Sequence, residues 1–119
     1  FRVNDNGTFV HDKDVSAFLN LITKEDRESC YPFANEEYRN IFRHTLWMLP
    51  GVKEARAMSA MLQTHSVFQH FKVVNVAGNG DEDEESKDAL VAVEEAIGKD
   101  PDATRTITLS CGRLTMLCL

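Results

Sequence analysis

The sequence predicts an α/β fold: a parallel sheet of three strands linked by helices, with two further helices before it. Three observations carry this expectation. From His44 onward, strand-like and helix-like segments alternate in the order strand, helix, strand, helix, strand. The linkers between them are short, which favours βαβ units with right-handed crossovers. The strand segments are apolar or β-branched, whereas the helical ones carry their apolar residues at spacings of three and four.

Each element has its own signature. Residues 1–11 hold turn formers and little periodicity, and Asn6-Gly7-Thr8 reads as a turn although it also fits a glycosylation sequon. Val15, Phe18, Leu19 and Ile22 then line one face of a helix, with Asp12 or Asp14 as its expected cap. The charged run TKEDRESCYP is a connector ending at Pro32. Asn35 is expected to cap a short second helix with Tyr38, Ile41 and Phe42 facing inward.

HTLWML, from His44 to Leu49, reads as a strand buried on both faces and stopped by Pro50-Gly51. A helix follows, with Ala55, Met58, Met61 and Leu62 inside and Lys53, Glu54, Arg56 and Gln63 outside. FKVVNVAG, Phe71 to Gly78, is the second strand. The polar loop NGDEDEES leads into a helix whose apolar face is Ala89, Leu90, Val93, Ala96 and Ile97. Gly98 suits its end. TRTITLS, Thr104 to Ser110, is the third strand. Residues 1–43 thus form a helical connector segment, and residues 44–119 hold the sheet.

Composition narrows the function classes. Hydrophobic residues are 43% and charged residues 27% of 119, a globular balance. No apolar run approaches the roughly 18 residues a membrane helix requires. The net charge of −6 repels phosphate backbones, so nucleic-acid contact needs a local basic patch. Cys30, Cys111 and Cys118 are odd in number, far apart and without a CxxC pair. That speaks against a disulfide framework or a zinc site and predicts a cytoplasmic setting. The chain opens on Phe1 with no signal-peptide pattern and is expected to be a segment of a longer protein.

A parallel α/β sheet binds ligands at the C-terminal ends of its strands. Three loops qualify: PGVKEAR, AGNGDEDEE and CGRLT. No G-x-x-x-x-G-K-[ST] phosphate loop occurs, and Gly78 and Gly80 are followed by five acidic residues, Asp81 to Glu85, which would repel a phosphate. Those carboxylates also stand too far from the strand end for a magnesium motif and read as a solvated helix start. His44, His65 and His70 lack metal-ligand spacing and are expected at the surface or at helix ends. Met58 and Met61 read as core. Cys111, in a turn after a strand, is a candidate exposed thiol, but no base is identifiable for it. Gly112, Arg113 and Thr115 are the strongest candidates, because backbone N–H groups, a guanidinium and a hydroxyl can meet a phosphate there.

HTLWMLPGVKEARAMSAML, HFKVVNVAG and TITLSCGRLT together resemble the second RecA-like lobe of superfamily 2 helicases, notably the large bacterial restriction type (DEAD/DEAH-like, type III restriction subunit). The resemblance spans roughly residues 38–115. It implies that ITLSCGRLT opens motif V, with Gly112, Arg113 and Thr115 coupling an ATP site to the nucleic-acid backbone. It also implies a single-strand phosphate contact near Gly51 and Lys53. The departure lies after Thr115, where Met116-Leu117-Cys118-Leu119 replaces the usual continuation Thr-Gly-Val-Thr.

The resemblance further implies a partial RecA-like sheet, inactive alone, from an ATP-dependent DNA helicase or translocase. ATP and Mg are implied for the whole enzyme and no cofactor for this part. The expected partners are DNA, the remaining lobe and a second copy of the chain; a membrane is not expected. The competing expectation is a small independent α/β interaction module that offers its acidic loop to a basic partner.

Overall fold

The computed structural model describes residues 2–29, 31–77 and 82–111. Four α-helices and three strands appear there: α1 Asp12–Thr23, α2 Glu36–Ile41, β1 His44–Met48, α3 Val52–Thr64, β2 Lys72–Asn75, α4 Glu82–Ile97 and β3 Thr106–Ser110. Short 3-10 turns lie at Phe68–His70 and Pro101–Ala103. All strand pairing is parallel, in the order β1-β3-β2. The α/β fold with a parallel three-stranded sheet is therefore the one the alternation predicts.

The last strand in the chain is the middle strand of the sheet. His44 pairs with Thr106 and Met48 with Ser110 on one side of β3, while Lys72 pairs with Thr106 and Asn75 with Leu109 on the other. The chain thus crosses from β1 past β3 to β2, then turns back. Right-handed crossovers in opposite directions put α3 and α4 on opposite faces of the sheet. The packing agrees. Ala55, Met58 and Leu62 of α3 share a core with Ile107 and Leu109, whereas the buried Ala89 of α4 stands outside that cluster.

Registered neighbours in a sheet share a face, so the two faces can be written out. Thr45, Trp47 and Leu49 line up with Ile107, Leu109 and Cys111 and with Val73 on the α3 face. His44, Leu46 and Met48 line up with Thr106, Thr108 and Ser110 and with Val74 on the α4 face. The α3 face holds the main core, which also takes in Phe9, Val15, Leu19 and Phe33. Phe68 sits among aromatic rings there, 5.0 Å from Phe33 and 5.4 Å from Trp47 between centroids, both edge-on. Residues 1–43 and the sheet are thus joined by one core, and the first stretch supplies Phe9 through an antiparallel bridge between Val3 and Phe9. Gly7, at φ +85°, makes the turn between them, with Asn6 Oδ1 accepting from Thr8.

Several local expectations hold. Asn35 caps α2, its Oδ1 accepting from the Tyr38 N–H at 2.9 Å, while its Nδ2 donates to the Asp26 carbonyl at 3.1 Å. Gly98 ends α4 at φ +77°, its N–H donating to the Glu94 carbonyl.

Others are corrected. Residues 44–48 are not buried on both faces: β1 is an edge strand, with Leu46 44% and Met48 45% exposed. Position 11, not Asp12 or Asp14, is the N-cap of α1, without a side-chain bond; both aspartates lie in the first turn, where the helix dipole favours them. Ile41 and Phe42 are exposed, because α2 turns Arg39 inward instead. The Arg39 Nε donates to the Phe33 carbonyl (2.8 Å) and its Nη2 to the Thr23 carbonyl (3.2 Å), closing the connector onto the end of α1. Leu90 is 53% exposed rather than part of the inner face of α4.

Candidate functional site

At the C-terminal end of the sheet the strand ends are tied together. The Leu49 N–H donates to the Ser110 carbonyl at 2.8 Å, and the Val76 N–H to the Leu109 carbonyl at 2.9 Å. The chain leaving β1, that leaving β2 and that leaving β3 therefore emerge side by side, at the place where parallel sheets bind ligands.

Gly51 and Lys53 stand at this end. Pro50 ends the strand run, and Gly51 becomes the N-cap of α3 with its carbonyl accepting from the Ala55 N–H at 3.1 Å. Its backbone is extended, φ −165° and ψ −177°, so any residue could adopt it. What glycine provides is room: a Cβ here would stand 2.7 Å from Glu54 Oε2. Lys53 is exposed in the first turn of α3. Two charges of opposite sign therefore share this helix start: the Lys53 ammonium in solvent and the Glu54 carboxylate folded back toward Gly51. An anion docking there must displace or neutralise Glu54.

Gly112, Arg113 and Thr115 lie outside the described residues, as do Gly78, Gly80 and Asp81. The residue before Gly112 is placed, and it corrects one expectation: Cys111 is buried, not an exposed thiol. Its carbonyl accepts from the Ser110 hydroxyl at 3.0 Å. Of the five residues singled out for phosphate or backbone contact, two are thus positioned, and both lie one strand away from the exit of β3. The acidic residues Glu82 to Glu85 occupy the opening turn of α4, in line with a helix start.

The histidines are spread through the molecule. His44 sits at the opposite end of the sheet, its Nε2 2.9 Å from the Pro101 carbonyl and its Nδ1 2.9 Å from Thr106 Oγ1. A carbonyl only accepts, so Nε2 carries the proton and Nδ1 accepts from the threonine. His70 is exposed. His65 is at a helix end, as expected, but it is buried, and burial lowers its pKa. Sequence reasoning missed its role, and Asn20, its partner 45 positions away, carries no signal that would reveal the pairing. Among the described residues no three His, Cys, Asp or Glu side chains converge as metal ligands, and no helix is long and apolar enough to cross a membrane.

Comparison with protein-family models, with curated proteins and with solved structures finds no match to this chain.

Proposed function

We propose that this α/β unit is part of the second motor lobe of an ATP-dependent DNA helicase or translocase of the bacterial restriction type, and that the C-terminal end of its sheet touches the DNA backbone. One observation carries the reading. The strand of TITLSCGRLT is the buried centre of a parallel sheet, and its end is hydrogen-bonded to the strand that delivers Gly51 and Lys53. Gly51 and Lys53 thereby lie beside the end of the sheet at which β3 stops, and Gly112, Arg113 and Thr115, outside the described residues, follow that strand in the sequence. Lys53 supplies the local positive charge that a chain of net charge −6 needs there.

Glu54 folds back over the start of α3, and no phosphate loop is present in the sequence. No step of ATP hydrolysis is therefore assigned to these residues; in this reading the unit contributes a track for the strand. Its activity requires the partner lobe that holds the triphosphate.

Fluorescence anisotropy of labelled single-stranded DNA at low salt tests the proposal, with Lys53→Ala and Arg113→Ala alongside. The expected result is weak, salt-sensitive binding that each substitution reduces, with a shallower salt dependence by about one charge apiece. Absence of binding, or binding indifferent to both substitutions, overturns the reading and favours an interaction module that uses the acidic start of α4.

A further inference from the structure

The ring of His65 closes the corner between α3 and the 3-10 turn at Phe68–His70, and it is nine-tenths buried. Both of its nitrogens are engaged. Nδ1 accepts from the backbone N–H of Val67 at 3.1 Å and of Phe68 at 3.4 Å. Backbone N–H groups only donate, so Nδ1 carries no proton. The proton belongs to Nε2, which donates to Oδ1 of Asn20 on α1 at 2.9 Å. One tautomer of the neutral ring therefore satisfies the corner and ties α1 to it.

A second proton has only Nδ1 to occupy, and two N–H dipoles already point there. The cation must give up both bonds, within an apolar setting that includes the Phe68 ring at 5.0 Å. The groups bonded to the ring are Asn20 from α1 and the backbone N–H groups of Val67 and Phe68 from its own corner. Among the described residues no carboxylate forms an ion pair with His65 that would stabilise the charged form.

We propose that His65 is an acid-released latch: the neutral ring holds α1 against the α3 corner, and protonation at Nδ1 lets α1 detach. The sign follows from linkage. The folded ring titrates below its ordinary value of 6.5 because it is buried, so the unfolded or detached form binds the extra proton more readily. The latch is fully closed above that ordinary value and is lost as pH falls through the lowered one. Detachment would uncover the aromatic cluster beneath, since Val15 and Leu19 of α1 are buried in the same core as Phe33 and Phe68.

Amide hydrogen exchange at pH 7 and pH 5, each rate referred to its intrinsic value, tests this on the full chain with His65→Asn beside it. The asparagine oxygen can still accept from the corner N–H groups but does not titrate. The expected result is that protection across residues 15–23 is lost on acidification, in the direction that a lowered histidine pKa dictates. Protection across residues 107–110 persists, and His65→Asn shows no such pH dependence. Equal loss in the variant, no loss in the wild type, or parallel loss in both regions overturns the latch. Should the variant not fold, the imidazole resonances of the wild type decide. The Nε2–H tautomer with a titration below 6.5 supports the proposal, and an Nδ1–H tautomer or a titration at or above that value refutes it.

Discussion

β1 and β3 share one ladder of hydrogen bonds, yet every residue of β3 is buried while alternate residues of β1 face solvent. Composition would suggest the reverse. HTLWM carries leucine, tryptophan and methionine, and TITLS carries three hydroxyl residues. Position in the sheet decides the matter. β3 has helices on both faces and strands on both edges; among the described residues β1 has a strand on one side only. The hydroxyl residues of the central strand are small, and two of them are bonded nearby, Thr106 to the His44 ring and Ser110 to the Cys111 carbonyl.

The sharpest way to break this comparison is to truncate one leucine in each strand. Leu109 is fully buried and packs in the main core, so Leu109→Ala should cost about 3 kcal/mol. Leu46 keeps nearly half its surface in water, so Leu46→Ala should cost about 1 kcal/mol or less. Urea unfolding of the two variants measures both. Equal losses would mean that β1 is covered as fully as β3.

The outer edge of β1 gives the next largest effect. Arg43 and Leu49 bond toward β3 at either end of the strand. Backbone direction alternates along a parallel strand, so the N–H and C=O groups of His44, Leu46 and Met48 point away from it. No lysine or proline guards that edge, whereas β2 carries Lys72. Concentration-dependent self-association by sedimentation velocity is expected for the wild type. Leu46→Lys combined with Met48→Lys should abolish it while leaving the unfolding midpoint nearly unchanged. A wild-type chain that stays monomeric at every concentration would show that the edge is inert.

The divide between what could be read in advance and what could not is one between local and non-local causes. Apolar and β-branched strand runs, apolar spacing at three and four, the Asn35 cap and the Gly98 stop are written within a few residues of where they act, and the strands, helices and caps they mark are present. The sheet order was not legible, because nothing local says that the third strand inserts between the first two. That one unknown produced the error over β1: a continuous apolar run fits a central strand, but the run sits at an edge with one face half bare. Arg39 and His65 were missed for a related reason. Each acts through backbone groups or side chains up to 45 positions away, and a lone arginine or histidine in a sequence gives no sign of that. At the candidate site, Lys53 was legible as the charge beside a strand end, but the position of Glu54 across Gly51 depends on how its side chain folds back.

The smallest predicted effect concerns the opposite end of the two strands. Arg105, just before β3, donates from Nη2 to Glu36 Oε1 at 2.7 Å and also bonds Asn40 on the same helix. Its guanidinium lies 5.8 Å from the centre of the Phe71 ring. The Arg105 hydrogen bond lowers the Glu36 pKa below its ordinary 4.5, against an opposing effect of burial that exceeds the help from the charge of Arg105, Arg39 or Arg43 taken singly. A lowered carboxylate pKa stabilises the fold above the ordinary value, and that contribution disappears as pH falls through the folded one. Glu36 is largely exposed, so the contribution is about 1 kcal/mol at most. Glu36→Gln should therefore be slightly less stable than the wild type at pH 6, and the gap should be smaller at about pH 3, because the contribution fades as pH falls below the ordinary glutamate value toward the lowered one. A stability gap of the same size at both pH values would mean that the contact between α2 and the start of β3 depends on shape rather than charge. In that event the Arg105 guanidinium over the Phe71 ring, not the ion pair, anchors this end of the central strand.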